Sequence, residues 1–110
     1  MQANRPHEPS YGGIPTFSKL PLVLDPSDLA GVDVAIVGAP IDETVSNRPG
    51  SRYGPRAIRA ADDSAGVPPS RPHMWLGVDP FAELSVVDYG DAETVPGNAA
   101  ESHAQVRRRV

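Results

Sequence analysis

The strongest constraint on the fold is one short stretch, GVDVAIVGAP at Gly31 to Pro40. Val32, Val34, Ala35, Ile36 and Val37 are apolar and mostly β-branched, so both faces of an extended segment are apolar here. A strand of that kind needs cover on both sides, which is the condition of a parallel strand in an α/β sheet. Gly38 and Pro40 punctuate its end.

The chain that follows supports this reading. Ile41 to Tyr53 is a polar loop, IDETVSNRPGSRY, and Gly54-Pro55 then opens a helix expected over Pro55 to Asp62. Proline at a first helical position removes an N–H that would have no partner anyway. Ala57, Ile58, Ala60 and Ala61 are expected to form the helix's apolar side, with Arg56 and Arg59 on one flank. Asp63 to Pro80 reads as loop. Leu84 to Asp88, LSVVD, reads as a second buried strand closed by Gly90. A second helix is expected over Asn98 to Val110, with Asn98 as N-cap and Glu101 completing a capping box.

Strand, helix, strand, helix is the opening of an α/β fold with a parallel sheet. Two parallel strands leave faces and edges uncovered, so the pattern asks for more chain. The expected division is an extended N-terminal arm over residues 1–30 and the start of an α/β domain, incomplete in this chain, over residues 31–110. Pro6, Pro9, Pro15, Pro21 and Pro26 each limit their predecessor to extended conformations, which predicts an arm laid extended on a larger body or, alone, partly disordered. Leu, Ile, Val and Phe are 24 of 110 residues, and Pro and Gly are 23, so any core is thin.

Several function classes drop out. A net charge of -4 argues against a nucleic-acid partner. The absence of cysteine excludes disulfides, thiolate metal sites and cysteine nucleophiles. Met1 to Ser10 lacks an apolar signal region, and the Val34 to Pro40 run is too short to cross a bilayer. A cytoplasmic protein with no membrane partner is expected.

The candidate chemical groups have plain readings beside the functional ones. His7, His73 and His103 lie far apart, without metal-ligand spacing, and read as solvated. Asp42, Asp88 and Asp91 fall at strand ends, where a parallel sheet places its ligand crevice; local turn bonds are the alternative. Asp62-Asp63 ends the first helix. Arg48, Arg52, Arg56 and Arg59 form the densest positive cluster. They could grip a carboxylate or phosphate, or form salt bridges to nearby loops or another subunit. Gly38-Ala39-Pro40 lacks the glycine pattern, lysine and serine of a phosphate loop, and the sole lysine is Lys19.

Three segments together resemble the agmatinase-type ureohydrolases of the arginase superfamily. They are GGIPTF at Gly12 to Phe17, VDVAIVGAPIDETVSNRPGSRYGPRAIRAA at Val32 to Ala61, and LSVVDYGDAE at Leu84 to Glu93. The stretch SNRPGSRYGPRAIR is the most specific, and the resemblance runs from Gly12 to the last residue. It implies the N-terminal part of a three-layer parallel-sheet fold. It implies two manganese ions, a guanidino substrate such as agmatine, release of urea, and a trimer or hexamer for a complete member. The family's metal-ligand motifs resemble G-G-D-H, D-A-H-x-D and D-x-D and follow the second helix, beyond Val110. No residue here is matched to a catalytic, cofactor-binding or metal-binding role, and this chain alone is expected to hold no metal and to be inactive. The alternative is a non-catalytic remnant, or an interaction fragment that binds a full-length ureohydrolase.

Overall fold

A computed structural model describes residue 9, residues 11–63 and residues 72–110, except for the side chains of Asp62 and Asp63. Strand β1 (Val34–Gly38) and strand β2 (Val86–Asp91) pair in parallel. Helix α1 (Gly54–Asp63) connects them, helix α2 (Pro80–Glu83) precedes β2, and helix α3 (Ala99–Arg109) follows it. The expected α/β order is therefore present.

β2 is the central strand. β1 lies on one side, with Val34 opposite Val86 and Ile36 opposite Asp88. On its other side Leu22 bridges to Asp88 in parallel, through bonds from Val23 N to Asp88 O (2.9 Å) and Asp88 N to Pro21 O (3.0 Å). Val87, Asp88 and Tyr89 are buried in consequence. Val23, Val87 and Tyr89 form the apolar core, with Leu29, Val32 and Val37 against it.

β1 differs from expectation. Val34 remains 39% exposed, and Ala35 is exposed beside it. Among the described residues β1 pairs with β2 alone, so the side-chain pattern of a buried strand meets cover from one neighbour.

β2 also extends further than the sequence suggests, running through Gly90 to Asp91 rather than closing before it. Two residues of β1, Ile36 and Gly38, span the register of Asp88 to Asp91 on β2, so β2 carries one extra residue there. Gly90, at φ +73°, absorbs that bulge without strain. The ladder then resumes with Ala92 N donating to Gly38 O at 2.8 Å.

α2 is not expected from the sequence, which reads as loop up to Pro80 and carries no assignment for Phe81 to Glu83. Its signal is local and was available: Asp79 accepts from Phe81 N at 3.0 Å as N-cap, and Pro80 takes the first helical position. α3 starts as expected, with Asn98 Oδ1 accepting from Glu101 N at 3.0 Å. The capping box is only half made. Asn98 N donates to Val95 O, and Glu101 Oε1 instead accepts from Gln105 and Arg108. Buried Ser102 ties α3 to the preceding loop, accepting from Val95 N and donating to Val95 O. Arg109 reaches back to the sheet. Its guanidinium lies 3.5 Å from the Tyr89 ring centroid and donates to the Tyr89 and Leu24 carbonyls. Among the described residues no helix is long and apolar enough to cross a membrane.

Candidate functional site

Parallel strands bring their carboxyl ends to the same edge, and there β1 and β2 deliver Gly38 and Asp91 side by side. The loop from Ala39 to Arg52 rises from β1, and α1 returns behind it. This edge gathers Asp42, Asp88, Asp91, Arg52 and Arg59, all singled out by the sequence.

Asp88 has no exposed surface, and its carboxylate is fully engaged. Oδ2 accepts from Arg59 Nε (2.8 Å) and Phe17 N (2.9 Å). Oδ1 accepts from Arg59 Nη2 (3.0 Å) and Gly90 N (2.8 Å). Four donors fill the roughly four lone-pair positions a carboxylate offers. Arg59 is itself buried; its Nη1 reaches Asp91 Oδ1 at 2.6 Å, and its guanidinium lies 4.5 Å from the Phe17 ring centroid. One arginine thus joins α1, β2 and the 16–20 segment. Burial pushes the Asp88 carboxyl upward, but the Arg59 bonds, with the Phe17 and Gly90 amides, outweigh it and hold it below the usual carboxylate range.

The same arrangement corrects the reading of α1. Ala57, Ile58, Ala60 and Ala61 are exposed, and Arg59 is the buried residue on that turn. A fork-shaped guanidinium that meets a buried carboxylate through two parallel bonds sets the helix's rotation here, and the apolar residues face outward as a result.

Asp42 organises the β1 loop. Its Oδ2 accepts from Gly50 N (2.7 Å) and Arg52 N (3.2 Å), and its Oδ1 from Arg52 Nε (2.5 Å). Burial raises this carboxyl, but the Arg52 and Gly50 bonds prevail and lower it. Loop residues 43–49 are therefore held at both ends. Arg48 sits near the apex with a left-handed backbone, φ +55°, and makes no ion pair among the described residues. Asp42→Ala should free the Gly50 and Arg52 amides. Their hydrogen exchange is expected to accelerate at least tenfold while the β2 amides keep theirs. Unchanged exchange at Gly50 would show that Asp42 does not hold the loop.

Half of the arginine cluster resolves as in-chain salt bridges. Arg52 and Arg59 are paired, while Arg56 is exposed on α1. His73 closes a turn, its Nδ1 accepting from Leu76 N at 3.3 Å, and His103 is exposed on α3. His7 and the side chains of Asp62 and Asp63 lie outside the described residues. No three histidine, aspartate or glutamate side chains gather at metal distance among the described residues. The donor set does not fit a metal centre: Asp88 is saturated, Asp42 is bound by its own loop, and Asp91 is held by Arg59.

Sequence reasoning marked these residues one by one but missed their pairing. It also missed Phe17, whose amide and ring both serve the Arg59–Asp88 pair.

Comparison with known proteins places this edge in a family. The model of the arginase family matches residues 32–110. The agmatinase of Chromobacterium violaceum is 46% identical over 84 residues, covering 76% of this chain and 24% of the relative. The guanidinobutyrase of Pseudomonas aeruginosa is 42% identical over 94 residues, covering 86% of this chain and 28% of the relative. Among solved structures, the proclavaminate amidinohydrolase of Streptomyces clavuligerus superposes with a TM-score of 0.74 at 34% identity. That match covers 89% of this chain and 30% of the other. The chain spans about a quarter of the length of the curated relatives it matches.

Proposed function

The chain belongs to the arginase family, and from that premise we propose that it is part of a metal-dependent guanidino hydrolase that releases urea from agmatine or a related guanidino compound. The observation that carries the reading is the match over residues 32–110. It takes in the β1 loop and α1, the segments that build the carboxyl edge of the sheet. In this reading residues 1–30 are the arm, and residues 31–110 begin the α/β domain.

The whole protein would be cytoplasmic, a trimer or hexamer, and would hold two manganese ions. Metal ions of that kind lower the pKa of bound water and polarise the group under attack. The residues described here do not fit such a centre, so no step of the reaction is assigned to them. Their part is architectural. Arg59 fixes α1 against the carboxyl end of β2, and Asp42 fixes the loop beside it.

The proposal has a direct consequence for the 110-residue chain alone. Supplied with manganese and either agmatine or guanidinobutyrate, it should release no urea above the protein-free rate. Turnover that rises in proportion to purified chain would contradict the assignment of the chain as scaffold.

A further inference from the structure

The turn at residues 16–20 is tied to the body of the chain by side chains and not by the sheet. Just after it, Pro21 O accepts from Asp88 N at 3.0 Å, and Val23 N donates to Asp88 O at 2.9 Å. Pro21 has no N–H with which to carry that ladder further back. Before Pro21, the backbone group that reaches β2 is Phe17 N, and it meets the Asp88 side chain at 2.9 Å. The Phe17 ring lies against the Arg59 guanidinium.

The turn is also closed on itself. Thr16 Oγ1 donates to Leu20 O (2.8 Å), Leu20 N to Phe17 O (2.8 Å) and Lys19 N to Thr16 O (3.3 Å). Lys19 Nζ donates to Gly12 O at 2.8 Å. A piece bonded internally in this way moves as one body, with Pro21–Leu22 as its hinge.

That body is held in an unfavourable shape. Ser18 and Lys19 have φ of +49° and +56°, two successive left-handed residues of which neither is a glycine. In that region Cβ crowds the following carbonyl oxygen. Such residues persist only where their surroundings over-determine them, and they cluster at clamps and switch segments. Here the surroundings are the Asp88 carboxylate, the Arg59 guanidinium and the buried seats of Thr16 and Leu20. The turn covers the carboxyl end of β2, the edge at which a parallel sheet places its ligand crevice.

We propose that residues 16–20 form a flap, hinged at Pro21–Leu22, that opens as a unit and uncovers the Asp88 carboxylate and the Arg59 guanidinium while β1, β2 and the Leu22 bridge stay paired. The contacts concerned lie within residues 12–91, and the proposal does not rest on the hydrolase reading.

Native-state hydrogen exchange of the full chain reads the opening directly. The Phe17 amide should exchange about tenfold or more faster than the Val23 and Asp88 amides, because local opening precedes global unfolding. Ser18→Gly and Ser18→Ala both remove the hydroxyl, so they differ only in the Cβ that the left-handed backbone disfavours. The Phe17 amide should exchange about threefold more slowly in Ser18→Gly than in Ser18→Ala, with Val23 and Asp88 alike in the two. Carbodiimide labelling of Asp88 with glycinamide, followed by peptide mass spectrometry, should slow by the same factor. A Phe17 amide that exchanges at the Val23 rate would overturn the proposal, since the turn would then open only with the sheet. Equal Phe17 exchange in the two variants would overturn it as well, and so would a shift shared by all three amides. Should Ser18→Ala fail to fold, the ratio of Phe17 to Val23 exchange in the parent chain decides.

Discussion

Arg59→Met should abolish cooperative unfolding of the chain. The substitution keeps most of the side-chain volume but leaves Asp88, which has no exposed surface, with two of its four donors gone. Breaking a buried ion pair from one side costs about 3–5 kcal/mol, because the remaining charge has neither water nor an opposite charge beside it. A domain's whole stability is only about 5–15 kcal/mol, and the core here is small. Loss of the Asp91 contact at 2.6 Å and of the ring contact with Phe17 adds to the effect.

Thermal and urea denaturation followed by circular dichroism would measure it. The double variant Arg59→Met/Asp88→Leu removes both charges and should be more stable than Arg59→Met alone, since no orphaned carboxylate remains. A single variant that melts like the parent would mean that the pair contributes nothing.

Acid should act on the same pair. The folded Asp88 carboxyl sits below its usual range. Its contribution is complete above the unfolded value, ~3.9, and is lost as pH falls through the lower folded value. The urea midpoint should therefore fall on acidification below that value, and less so in the double variant. A midpoint that rose in acid would contradict the assignment.

Gly38→Ala is the second large effect expected. A Cβ at Gly38 would overlap Asp91 Oδ1 and lie 2.9 Å from Asp91 Cγ and 2.8 Å from Pro55 Cβ. The Asp91 side chain could swing away, but only by giving up Arg59. Pro55 is a ring in the first turn of α1 and has no such freedom. The strand end would have to move, which strains the Ala92 N to Gly38 O bond. Overpacking of this kind costs about 1–3 kcal/mol. In an Asp91→Ala background the same substitution should cost less, because only the Pro55 contact remains. Equal cost in both backgrounds would show that Asp91 does not constrain this position.

What the sequence made legible was local. The β-branched run of β1, the Pro55 start of α1 and the Asn98 cap each act through neighbours in the chain, and each element formed close to where it was expected. α2 carried the same sort of signal in Asp79-Pro80, hidden among surrounding prolines that read as loop. The pairing at the sheet edge was not legible. Arg59 meets Asp88 and Asp91 across 29 and 32 residues, and no periodicity encodes a contact at that range. Hydropathy pointed the wrong way on α1, because a charged residue is the one buried there. Asp88 looked like a candidate ligand for the same reason it became structural. A carboxylate at a strand's carboxyl end faces the crevice unless a neighbour claims it, and a neighbour does.

The most direct measurement replaces the matching segment of the Chromobacterium violaceum agmatinase with residues 32–110 of this chain, then assays urea release from agmatine with manganese. A scaffold that belongs to a guanidino hydrolase should give a folded chimera that turns over agmatine. A chimera that folds and binds manganese yet releases no urea would contradict that account.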